Sequence, residues 1–285
     1  MRYNIARNWI ESAALMAEKS FIIIPFLVWG FLETLALEFT YFFPGVPFGP
    51  IVNPIVAKYF GEAYAHYPGS LVIIPKLFYY AQSFLFVVVG VFLSAITIDL
   101  IRRIDSSDSL LPKDIFESAI RRYIPCFIYG ILVVAAGIMV KKYSGIAFER
   151  YIGSISAHIP GEMLQLVPFG LSLWLLTTRI AMLTLFILTM PIIVIKRRSI
   201  IRALPESMLR GLLGFFPIFI MLLVPHLLYL PILLLKSFMT RLAGATFPEV
   251  VFPLTLASIG VMAFIQCFII VCASRLVLDR QKVVK

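Results

Sequence analysis

The sequence predicts an all-α polytopic integral membrane protein, with six transmembrane helices in three hairpins and three interfacial amphipathic helices on the cytoplasmic side. Three observations carry that expectation. First, the 285-residue chain is 61% hydrophobic and only 14% charged. Its mean hydropathy is +0.97. A water-soluble globule has far more polar surface, and a disordered chain has low hydrophobicity. Second, six segments have the length and apolarity to cross about 30 Å of hydrocarbon, which takes about 20 helical residues. Third, the net charge of +10 is concentrated on one side of those segments.

The expected spans are 21–43, 78–101, 123–140, 168–195, 212–235 and 251–274. The third is short and the fourth long, so the fourth is expected to tilt. The first follows a charged stretch and has no small-residue cleavage pattern after it, so it reads as a signal anchor. The whole chain, 1–285, is read as a single six-span membrane domain. Of the 25 Lys and Arg residues, 17 fall in residues 1–20, 102–122, 196–211 and the C-terminal tail. The opposite connections hold seven, and Arg179 lies within the fourth span. This bias places both termini and the basic connections in the cytoplasm. The longest opposite connection, residues 44–76, is proline-rich and aromatic with few charges, so it is expected to pack at the outer leaflet. Cys126, Cys267 and Cys272 sit in apolar stretches without metal or disulfide spacing and read as small buried hydrophobes.

A threefold pattern runs along the chain. Before each outward-going span lies an amphipathic stretch. The first aligns Ile5, Trp9, Ala13 and Met16; the second Ile115, Ala119 and Tyr123; the third Ile201, Leu204 and Met208. Each contains the same dipeptide, Glu11-Ser12, Glu117-Ser118 and Glu206-Ser207, and each leads to a proline early in its span, Pro25, Pro125 and Pro217. The unit is an interfacial helix followed by a helical hairpin. A proline costs little in the first turns, where its missing N–H has no helical partner.

In the third unit, the run from Phe186 through Pro191 to Lys196, then Ala203-Leu204-Pro205-Glu206-Ser207 and Gly214-Phe215-Phe216, resembles a known family. It is the six-span membrane domain attached to some bacterial glycerophosphodiester phosphodiesterases, also found alone. That resemblance implies the six-span fold in a bacterial or archaeal cytoplasmic membrane. It implies no activity, since the catalytic barrel is absent, and Lys196 stands where the family often has an acidic residue.

An ionisable group at membrane depth costs at least about 2.5–3.5 kcal/mol on insertion scales. Glu33 in span one and Arg179 in span four both fall near the expected midplane. They are read either as a buried ion pair locking the two spans or as part of a substrate path. His226 and Gln266 are expected to hydrogen-bond neighbouring helices. Glu117, Arg121, Arg122, Glu206 and Arg210, on the second and third amphipathic stretches, are candidate partner-docking residues. Catalytic, nucleotide-binding and metal motifs are missing, and the three histidines, His66, His158 and His226, lie in separate segments. No catalytic residue, metal ligand or cofactor site is expected.

The expected function is therefore a non-enzymatic membrane scaffold or accessory subunit of a larger cytoplasmic-membrane complex. The alternative is a transporter or permease subunit with a midplane site near Glu33 and Arg179. The expected partners are the lipid bilayer and other membrane-protein subunits, with no nucleic acid. A lipid-handling enzyme is disfavoured for want of a nucleophile–base pair or a metal cluster.

Overall fold

A computed structural model describes residues 4–42, 45, 49–65, 69–155, 160, 166–245 and 250–284. His66, His158 and parts of the expected far-side connections lie outside them. Among the described residues the protein is all α, with six helices long and apolar enough to cross a membrane. Helix α1 (Ile5–Glu18) precedes a 3-10 turn at Ser20–Ile23 and α2 (Ile24–Phe42), which together form span 1. Helix α3 (Gly49–Phe60) follows. Span 2 is α4 (Gly69–Leu85) joined through a π turn at Phe86–Gly90 to α5 (Val91–Ser106). Span 3 lies in α6 (Pro112–Ile155), and span 4 in α7 (Val167–Phe186) and α8 (Thr189–Ile195). Helix α9 (Ile200–Leu213) precedes α10 (Phe215–His226) and α11 (Leu230–Ala245), which make span 5. Span 6 lies in α12 (Val251–Val284).

Three expectations are corrected. The second amphipathic stretch is no separate helix, because α6 runs unbroken for 44 residues through Pro125. Units 1 and 3 break at the Ser20–Ile23 turn and at Gly214, whereas unit 2 has no such break. The long fourth span is not one continuous helix but is interrupted by a turn between Phe186 and Thr189. And the connection after span 3 begins as helix, since α6 continues to Ile155, well past Val140.

The spans close into a ring in chain order, span 6 returning to span 1. Spans 4, 6 and 2 are the more buried, with 61%, 56% and 50% of their apolar windows inside, against 33%, 28% and 17% for spans 1, 5 and 3. Spans 2, 4 and 6 are therefore central, and spans 1, 3 and 5 cover them. At the end carrying both termini, here called the basic end, α5, α8 and α12 pack together. All seven residues of α8, Thr189 to Ile195, are buried there. At the opposite, far end the halves of spans 2 and 4 part: among the described residues α4 makes no extensive contact with α7 or with α6, which packs on α5, the π turn and α7. Gly90 lets Trp29 of span 1 pack against span 2, and Gly130 receives Val91. Such close approach of backbones is a usual device of membrane helix packing.

The amphipathic stretches dock cyclically. Helix α1 lies on α12, the start of α6 on α5, and α9 on α7 and α8, so each unit's first helix rests on the returning span of another unit. When the Glu-Ser dipeptides are superposed, buried Asn8, Ser12 and Met16 of α1 match buried Ala203, Ser207 and Gly211 of α9 one for one. In both, the serine is fully buried. Asn8 receives the Ser12 hydroxyl proton at 3.2 Å and donates to the Cys272 carbonyl at 3.2 Å, while Ser207 donates to the Leu185 carbonyl at 2.8 Å. In unit 2 the buried positions are Ile115 and Ala119, one residue out of that register. Two units thus share the same side-chain register, and all three share the packing.

Gly211 tests this docking. A Cβ there would lie 2.7 Å from the Thr184 carbonyl oxygen and 2.8 Å from Leu185 Cα, both backbone atoms that cannot swing aside. Gly211→Ala is expected to destabilise by about 1–3 kcal/mol. Gly137→Ala, where a Cβ meets open space, is expected to gain up to about 1 kcal/mol from helix propensity. Thermal unfolding of the detergent-purified variants checks both signs, and a stable Gly211→Ala protein overturns the account.

Candidate functional site

Charged groups occupy two separate places in the fold. At the basic end, three ion clusters sit where the central spans emerge. At the end of span 2, Asp99 (1% exposed) accepts from Arg102 Nε at 2.9 Å and Arg103 Nε at 2.8 Å. Arg103 also reaches the Ser109 and Asp114 carbonyls, tying span 2 to the start of α6. At the end of span 4, Glu206 accepts from Lys196 Nζ at 2.9 Å, Arg210 Nη2 at 2.5 Å and Arg198 Nη1. At the end of span 6, Glu11 accepts from Arg7 Nε at 2.6 Å and from Arg275 Nη2. Each cluster ties the segment before an outward span to the returning span beneath it.

Burial alone would raise the Glu206 carboxyl, but Lys196, Arg210 and Arg198 together hold it below its ordinary value of 4.5. A hydrogen bond from Arg7, reinforced by Arg275, lowers Glu11 in the same way. Two of the candidate docking residues, Glu206 and Arg210, are thus engaged with the protein itself and do not present a free charged face. Glu117 and Arg121 are exposed and bonded to each other at 2.5 Å, and Arg122 is half-buried.

The second place is the far half of the bundle. Glu33 is 1% exposed and accepts from Gln82 Nε2 of α4 at 2.7 Å and from the Trp29 indole one turn earlier. Lys236 of α11 lies within electrostatic range of it. Among the described residues no ion pair joins Glu33 to Arg179, so the expected lock between spans 1 and 4 is not made. Span 1 packs on spans 2 and 6, while span 4 packs on spans 3 and 5 through its α7 half, which explains why the two side chains do not meet.

Arg179 is exposed. Trp174 Nε1 donates to the Ser144 carbonyl at 3.1 Å, and the Thr178 hydroxyl lies 3.4 Å from that of Ser144. These contacts set Arg179 level with the Lys141–Ser144 turn of α6. Lys141 Nζ stands 4.4 Å over the Tyr79 ring of α4, and Lys76 Nζ 4.8 Å over the Phe60 ring. Lys141 feels the charges of both Arg179 and Lys76. His226 feels Arg179 as well.

The basic groups near Arg179 and the Glu33–Gln82 pair carried only part of their signal in the sequence. Glu33 and Arg179 stood out because ionisable residues at membrane depth are rare. Lys76 and Lys141 were read only as residues of the far-side connections, Gln82 carried no signal, and the tertiary structure sets Lys141 over Tyr79 and Gln82 against Glu33. The interhelical expectation for His226 is corrected: its Nδ1 donates to the Leu222 carbonyl of its own helix at 2.7 Å, because that carbonyl is one turn away. Gln266 is half-buried and makes no side-chain hydrogen bond among the described residues. No group of three or more His, Cys, Asp or Glu residues that could hold a metal exists among the described residues.

Two measurements follow. Because the Glu206 carboxyl is lowered, its cluster contributes full stability above about pH 4.5 and loses it as pH falls through the lowered value. Glu206→Gln is therefore expected to cost about 1–3 kcal/mol at neutral pH and to flatten the acid limb of the unfolding midpoint below about pH 4.5. An unchanged acid limb sinks this assignment. In the far half, a double-mutant cycle on Glu33→Ala and Gln82→Ala is expected to show coupling of about 0.5–3 kcal/mol, while Glu33→Ala and Arg179→Ala add independently. Rescue by the charge swap Glu33→Arg with Arg179→Glu would restore the ion-pair reading.

No family model, no curated protein and no solved structure matches this chain.

Proposed function

We propose that this protein is a transporter or permease subunit whose substrate site lies in the far half of the bundle, between Arg179 and the Glu33–Gln82 pair. The observation that carries the reading is the divergence of spans 2 and 4: their far halves, α4 and α7, make no extensive contact, while Arg179 and Lys76 lie within electrostatic range of Lys141, and Lys236 within that of Glu33. Charged residues in transmembrane segments usually mark cavities and substrate paths. In the basic half, buried α8 closes the centre of the ring. A barrier at one end and an open polar region at the other fit one state of an alternating-access protein. The Lys and Arg bias supports a cytoplasmic basic end with both termini inside.

A second reading, the non-enzymatic scaffold or accessory subunit, rests on the exposed Glu117–Arg121 pair and the exposed apolar side chains of Leu209, Leu212 and Phe216 at the basic end. Those apolar groups also suit contact with lipid. The resemblance to the membrane domain of bacterial phosphodiesterases stays with the motifs between Phe186 and Phe216 and adds no activity to either reading.

Thiol accessibility tests the main reading. In a background with Cys126, Cys267 and Cys272 replaced by Ser, Arg179→Cys and Lys141→Cys are expected to react with a membrane-impermeant maleimide added at the far side of oriented vesicles. Thr189→Cys, at fully buried Thr189, is expected to react at least about 100-fold more slowly from either side. Equal protection of all three positions removes the proposed site.

A further inference from the structure

We infer that Arg179, Lys141 and Lys76 form a binding site for a phosphate-bearing anion in the groove between the far halves of spans 2 and 4. This assignment rests on the reading above and names its substrate class. The three cations come from α7, α6 and α4, three helices brought into register by the Trp174–Ser144 and Thr178–Ser144 contacts on one side and by Lys141 over Tyr79 on the other. All three residues are exposed, so a ligand can reach them. Lys141 lies within electrostatic range of both other charges. Among the described residues no carboxylate pairs with any of them, whereas at the basic end Arg7, Arg102, Arg103, Lys196 and Arg210 each pair with one.

Like charges on Arg179 and Lys76 repel Lys141, which lies between them in chain order, and all three are costly to desolvate beside apolar spans. An anion of charge near −2 relieves both costs. The ligand class follows from the donor set. A guanidinium presents a planar fork that bonds two phosphate oxygens at once, and two flexible ammonium groups can serve the remaining oxygens as point charges. Glu33 does not compete, because its carboxylate is already engaged by Gln82 and Trp29. A lipid headgroup and a free phosphate are the two sources of this chemistry.

The test is equilibrium binding to the full-length protein in nanodiscs, independent of any flux measurement. One arm titrates inorganic phosphate against nanodiscs of neutral lipid. The other counts bound phosphatidic acid by native mass spectrometry after reconstitution in mixed neutral and acidic lipid. Binding in the first arm identifies free phosphate, and binding in the second arm alone identifies a headgroup. In either case Arg179→Gln is expected to weaken binding at least about tenfold, and Lys141→Gln and Lys76→Gln each about three- to tenfold. Arg179→Lys, which keeps the charge and loses the fork, is expected to fall between wild type and Arg179→Gln. Arg121→Gln, at the exposed basic-end pair, is expected to bind like wild type. If Arg179→Gln does not fold, Lys141→Glu at exposed Lys141 carries the test, with binding expected to be lost. Absence of binding in both arms, or equal binding by wild type and both the Arg179 and Lys141 variants, overturns the inference. A protein that binds phosphate while Arg179→Cys and Lys141→Cys resist impermeant maleimide would keep this site and lose the transport reading; the converse result would do the opposite.

Discussion

The structure depends most on the packing of α8 against α5 and α12. Seven consecutive residues, Thr189-Met-Pro-Ile-Ile-Val-Ile195, are buried on every side. A helix that is apolar all round suits only the centre of a bundle or contact with lipid, and here spans 2, 3 and 6 together with α9 supply the enclosing surfaces. Hydrocarbon gives apolar side chains no solvent-driven reason to leave lipid for protein, so close van der Waals contact must hold the centre. That contact fixes the three returning spans at one end. The other three spans and the amphipathic stretches are then arranged around them.

The ion clusters complete this arrangement at the membrane boundary. Each returning span ends in basic residues, and a carboxylate of the adjoining segment or of the span itself gathers them: Asp99 at span 2, Glu206 at span 4, Glu11 at span 6. An exposed salt bridge contributes little. Clusters with half-buried or buried carboxylates, such as those of Asp99 and Glu206, hold their helices in a defined register because a misplaced carboxylate leaves several cations unpaired. The neutralised basic end contrasts with the far half, where Arg179, Lys141 and Lys76 share no such carboxylate among the described residues.

Much of the fold was legible in the chain. Apolar length located all six spans, and the helical periodicity of Ile5–Met16 and Ile201–Met208 located two interfacial helices. The Glu-Ser dipeptides marked a repeated unit whose first and third copies share their buried positions. The continuity of α6 was harder to read, because its amphipathic and apolar portions differ in character while the backbone runs through both. The candidate site was legible only in part. Glu33 and Arg179 were conspicuous by their depth, but pairing them assumed that opposite charges at similar depth must meet. Neighbour relations among the spans decided otherwise, giving Glu33 to Gln82 and setting Arg179 beside Lys141.

The sequence by itself determined the class: six spans, with most of the basic residues gathered at one end. These follow from composition and periodicity, which depend on residues near one another in the chain. Tertiary structure alone decided which charges neutralise each other and which do not. Electrostatic pairing depends on distances of a few ångströms between helices far apart in sequence, and those distances are set by the order in which the spans close their ring and by the level at which α6 and α7 interlock.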